Sequence, residues 1–131
     1  MKKDINIPQV KDVYMAVVKD YNEIYKTHDW NSYIINDKKV DLEMILIVSK
    51  GFSKDKETST MRHKLEKLPP KSYAKIELIQ QEVLSMNNEF KVTFFENNTM
   101  FDKTYLFKKN TINENALQQI PLMDAKGVLV K

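Results

Sequence analysis

The chain of 131 residues contains no cysteine, only two glycines, and a single arginine, Arg62, among its 21 basic residues. The missing cysteine excludes disulfides, thiolate metal sites and cysteine nucleophiles, and it agrees with a reducing compartment. Phosphate cradles need clustered glycines to expose consecutive backbone N–H groups, and Gly51 stands alone in Ser49-Lys50-Gly51. Arginine's planar fork makes bidentate contacts to phosphate and guanine, whereas lysine is a hydrated point charge. The net charge of +3 is therefore a statement about solubility, and nucleic acid is not the expected partner. The apolar run at residues 44–48 falls far short of the ~20 residues needed to span a bilayer, as do the others. At the start, Asp4, Asn6 and Pro8 interrupt the apolar stretch that a signal peptide requires. The expected location is cytoplasmic, with no membrane association.

What is present is apolar/polar alternation with period two, broken by turn-forming residues. Residues 13–18 predict a strand with Val13, Met15 and Val17 on one face. Asp20-Tyr21-Asn22-Glu23 reads as a turn, and residues 29–36 as a second strand carrying Trp30, Ser32 and Ile34 opposite Asn31, Tyr33 and Ile35. In a third strand over 40–48, Leu42, Met44, Leu46 and Val48 oppose Ile45 and Ile47. Residues 49–59 read as the most polar loop. Strand 59–67 puts Met61, His63 and Leu65 on one face. After Pro69 and Pro70, which cannot donate ladder hydrogen bonds, Ala74, Ile76 and Leu78 point one way and Lys75 and Glu77 the other. Residues 80–86 predict one helical turn. Strands at 89–95 and 100–108 follow, joined by Glu96-Asn97-Asn98-Thr99, because asparagine tolerates the positive φ of a tight hairpin.

This pattern predicts an all-β fold, an immunoglobulin-like antiparallel two-sheet sandwich of about seven strands in residues 1–110. Residues 111–131 form an apolar C-terminal tail, with Ile112, Leu117, Ile120, Leu122 and Met123 around Pro121. Such content is high for a disordered end, so the tail is expected to pack on its own domain or on a neighbouring subunit.

No catalytic, cofactor-binding or metal site is expected. His28 and His63 lack the further ligands of a zinc site, and Asp29 should face away from His28 in a strand. Ser59 or Thr60 could be lined up with His63 and Glu57 or Glu66, but no nucleophile-elbow pattern surrounds either hydroxyl. His63 reads instead as a hydrogen-bonded, partly buried imidazole. If Phe95, Ile45 and Ile47 share the outer face of one sheet, they form an apolar patch suited to a partner.

Residues 30–36, 47–52, 58–63, 68–79, 90–95 and 127–131 together resemble a small family of uncharacterised bacterial proteins, some labelled phenylalanyl-tRNA synthetase alpha-chain-like. That label implies motif arginines and a glycine-rich ATP motif. With one arginine and two distant glycines, the chain has no residues to carry them. The expectation is a non-enzymatic interaction or structural module, without cofactor, meeting a protein partner or a second copy of itself. The alternative is an RNA- or tRNA-associated accessory protein that binds through surface lysines.

Overall fold

A computed structural model describes residues 8–131, so the reading of residues 1–7 as a non-signal start lies outside the described residues. Among the described residues nine strands form two antiparallel sheets: β1 (Val13–Asn22), β2 (Thr27–Asn36), β3 (Leu42–Phe52), β4 (Met61–Leu68), β5 (Ser72–Ile79), β6 (Asn87–Glu96), β7 (Thr99–Phe107), β8 (Gln118–Gln119) and β9 (Lys126–Val130). One sheet has the order β5-β2-β1-β9-β8 and the other β4-β3-β6-β7. The count exceeds the expected seven because residues 118–130 add two strands, β9 pairing antiparallel with β1. Among the described residues no helix is long and apolar enough to cross a membrane.

Alternation builds the interior as the sequence implies. Val13, Met15 and Val17 of β1 meet Trp30 and Ile34 of β2 and Phe90, Val92, Phe94, Tyr105 and Phe107 of β6 and β7 in one core. The Tyr105 hydroxyl crosses that core and donates to the Val13 carbonyl at 2.5 Å, tying the two sheets together. The opposite face of β1 and β2 is apolar as well. Ala16, Val18, Tyr33 and Ile35 form a second cluster, closed by Ile120 and Met123 from the segment before β9.

Turn chemistry sets the connections. Asn97 and Asn98 both have positive φ, 50° and 66°, as the two-residue hairpin between β6 and β7 requires. The β1–β2 turn lies later than expected. The Asn22 carboxamide accepts from the N–H groups of Ile24 and Tyr25, so pairing persists through Asn22–Thr27 and residues 20–22 belong to β1. Pro69, Pro70 and Lys71 carry the chain from the four-stranded sheet to the five-stranded one. Asn36, fully buried, fastens this corner by donating to the carbonyls of Val40, Leu68 and Pro69. The helical turn expected over 80–86 is reduced to a 3₁₀ turn, Gln81–Val83. Residues 49–52 continue β3 because they still pair with Asn87 to Phe90 of β6.

Two β-bulges overturn the expected faces. In β3, the ladder to β6 shifts between Glu43 and Leu46, with Met44 held at φ 48°. This extra residue turns Ile45 and Ile47 into the core and leaves Leu46 and Val48 on the outer side, so Ile45 and Ile47 do not contribute to an outer patch. In β5, Ser32 pairs with Glu77 and Tyr33 with Lys75, so Ile76 is the unpaired residue. Ala74 and Ile76 pack against the core, but after the bulge the phase inverts. Leu78 becomes 52% exposed, and Glu77 turns between the sheets.

Candidate functional site

Glu77 is the acidic group that the β5 bulge carries inward. A carboxylate there must be hydrogen-bonded, since its lost hydration costs several kcal/mol (roughly, for an unpaired ion). Two neighbours supply the bonds. Ser49, buried in β3, donates through Oγ to Glu77 Oε1 at 2.7 Å, and His63 Nε2 of β4 lies 2.6 Å from the same oxygen. When the carboxylate is ionised it only accepts, and in that state His63 Nε2 is the donor of the second bond. The bulge itself is clamped by Ser32, whose Oγ donates to the Glu77 carbonyl at 3.1 Å and accepts from the Glu77 N–H at 3.2 Å.

The order of these groups decides their chemistry. In an acyl-transfer triad the imidazole stands between hydroxyl and carboxylate and takes the serine proton. Here the carboxylate stands between Ser49 and His63, so the imidazole does not receive the hydroxyl. Beside this cluster the sheets part to leave a cavity of about 290 Å³, lined by Ser49, Gly51, Glu77, Ile79, Val83 and Phe90 among others. A Cβ built on Gly51 would lie 2.8 Å from Val83 Cγ1, so the missing side chain keeps this space open.

The second feature is the outer face of the four-stranded sheet. Segment 120–125 covers the outer face of the five-stranded sheet, and no such cover lies over β4-β3-β6-β7 among the described residues. Met44, 72% exposed, and Met100, 53% exposed, flank partly exposed Leu46 and Phe95. Across this face one transverse row runs Lys64, Leu46, Thr93, Asp102, a cation at one edge and an anion at the other. Met44 holds a left-handed conformation that costs a non-glycine residue about 1–2 kcal/mol.

The residues singled out in the sequence fall in different places. His63 is hydrogen-bonded and partly buried, but its partner is Glu77 and not Glu57 or Glu66; Glu57 pairs with Lys50 at 3.5 Å. His28 packs on the ring of Tyr21, 5.1 Å between centroids, while the Asp29 carboxylate accepts from Asn22 and Thr27. Among the described residues no three metal-ligating side chains cluster. Phe95 does lie on the outer face, beside Met44 and Leu46 rather than Ile45 and Ile47. Sequence reasoning missed Ser49 and Glu77. The available signal was Leu78-Ile79: Ala74, Ile76 and Ile79 cannot all face the core in a regular strand, so burying Ile79 needs a one-residue slip. Comparison with protein-family models, with curated proteins and with solved structures finds no match to this chain.

Proposed function

We propose that the protein is a non-enzymatic interaction module, an immunoglobulin-type sandwich that pairs with a second copy of itself through the outer face of β4-β3-β6-β7. The strand order supports the architectural part. β1, β2 and β5 occupy the places of strands A, B and E in such a sandwich, and β4-β3-β6-β7 those of C′-C-F-G, with β9 and β8 added beyond β1. The observation that carries the functional part is the asymmetry between the outer faces: one is closed by its own chain, and the other exposes Met44, Leu46, Phe95 and Met100.

Charge placement favours a second copy as the occupant. A two-fold axis along the strands lays β4 of one protomer over β7 of its partner. Each Lys64 then meets the opposite Asp102, Leu46 lies over Thr93, and Met44 lies towards Phe95 and Met100. Two sheets packed in this way would be nearly aligned, about 10 Å apart. A dimer with this geometry is isologous, so the Lys64–Asp102 pair forms twice or not at all.

Sedimentation equilibrium tests it through a charge swap. The native chain should form a concentration-dependent dimer. Lys64→Asp or Asp102→Lys alone should give monomer, and the two together should restore the dimer. A native chain that stays monomeric, or a double swap that fails to restore association, would refute the proposal.

A further inference from the structure

The cavity beside Glu77 lies between the sheets and shares none of its named lining residues with the outer face just discussed. Both hydrogen bonds to the carboxylate end on Oε1. Among the described residues none ends on Oε2, which keeps contact with solvent although the side chain is only 14% exposed. Lys50 lines the cavity, yet its ammonium is directed to Glu57 at 3.5 Å and lies over the Phe52 ring. The rest of the wall is mixed: Ile79, Val83 and Phe90 form its apolar part, and Thr58, Ser59, Gln80 and Asn88 its polar part. Its volume of about 290 Å³ places it at the small end of ligand cavities, which run from roughly 300 to 1,000 Å³.

We propose that this cavity binds a primary alkylammonium group, with the cation on Glu77 Oε2 and its methylenes against Ile79, Val83 and Phe90. The carboxylate disfavours an anion, and a neutral apolar guest would leave Oε2 without a donor. An ammonium on a short aliphatic stem satisfies both the polar and the apolar parts of the wall. Ser49 and His63 hold Oε1 and fix the direction of the carboxylate, so they are positioning residues. Gly51 sets the width, because a methyl group there would enter the cavity against Val83 and Thr58.

The same chemistry is offered by a free alkylamine and by a lysine side chain of another polypeptide. Amide-resolved NMR titration of the full chain with n-butylammonium tests it. Five heavy atoms set the expected dissociation constant at about millimolar. Shifts should concentrate on Ser49, Gly51, Glu77 and Val83, and the neutral isostere n-pentane should cause none of them. Glu77→Gln keeps an acceptor for Ser49 and His63 and should weaken binding about tenfold or more, since a hydrogen bond to a charged group is lost. Gly51→Ala should weaken it by narrowing the cavity, which keeps the test open if the Gln variant folds poorly. Nα-acetyl-lysine-methylamide separates the sources. Binding as tight as n-butylammonium points to a lysine side chain, and exclusion of the amide points to a free amine. Scattered shifts, or shifts that both variants leave unchanged, would overturn the proposal.

Discussion

Replacing Tyr105 with phenylalanine removes one oxygen from the centre of the molecule and leaves the ring in place. The ring is 1% exposed, and its hydroxyl reaches from β7 in one sheet to the Val13 carbonyl in the other at 2.5 Å. A net protein hydrogen bond contributes about 0.5–1.5 kcal/mol, and a buried acceptor deprived of its donor costs about 1–3 kcal/mol. The loss should therefore lie near 2 kcal/mol (roughly), a sizeable share of the ~5–15 kcal/mol that separates folded from unfolded domains. Trp30, the single tryptophan, is 8% exposed in β2 and reports unfolding by fluorescence. With a urea slope of about 2 kcal/mol/M, the midpoint should fall by about 1 M while the slope stays constant. Thermal unfolding should show a drop on the order of 6–10 °C for a chain of this size. A midpoint change below about 0.3 M at unchanged slope would mean that the hydroxyl does not join the sheets energetically. A changed slope would mean that the substitution altered the unfolded or native ensemble instead.

Burial pushes the phenols of Tyr105 and Tyr33 up from their ordinary range, and for Tyr33 the hydrogen bond to Asp20 adds to the effect. Above about pH 10 the unfolded chain loses these protons before the folded one does, so stability present below that pH should fall as pH rises further. Urea midpoints measured on either side of that pH should show the fall, smaller in Tyr105→Phe; equal slopes with pH in both proteins would contradict it. Ser32→Ala removes both hydrogen bonds that clamp the bulge at Glu77, and should cost about 1–3 kcal/mol and speed amide exchange at Glu77. Unchanged exchange would show that the ladder alone holds the bulge. Gly127→Ala would place a Cβ 2.5 Å from the Val17 carbonyl oxygen, part of the β1 backbone, so β9 must shift away. A loss of about 1–3 kcal/mol with exchange protection lost over Lys126–Val130 is expected, and native protection there would rule it out.

Alternation in β1, β6 and β7 was legible because each strand keeps one phase from end to end. Phe90, Val92 and Phe94 are buried for that reason, and the Asn97-Asn98 turn was legible because asparagine accepts positive φ. The two bulges were not legible. Glycine often marks such positions, but Met44 and Ile76 occupy them here, and around Met44 the run of residues 44–48 is apolar in either phase. An apolar run masks a one-residue slip, since either face looks suitable for the core. The candidate site depends on that slip: the alternation turns His63 inward but Glu77 to solvent, and the meeting of Glu77 with Ser49 and His63 spans three strands.

The bulge at Ile76 also gives β5 two competing ways to dock on β2. In the unslipped register Leu78 would enter the core in place of Ile79 and Glu77 would face water, so apolar burial alone does not choose between the two. Ser32 and Glu77 are 45 residues apart in sequence, and contacts of such separation form late because their loop-closure entropy must be met first. The chain therefore carries a built-in kinetic ambiguity at one edge strand, resolved only when polar partners from β2, β3 and β4 have assembled to receive the carboxylate.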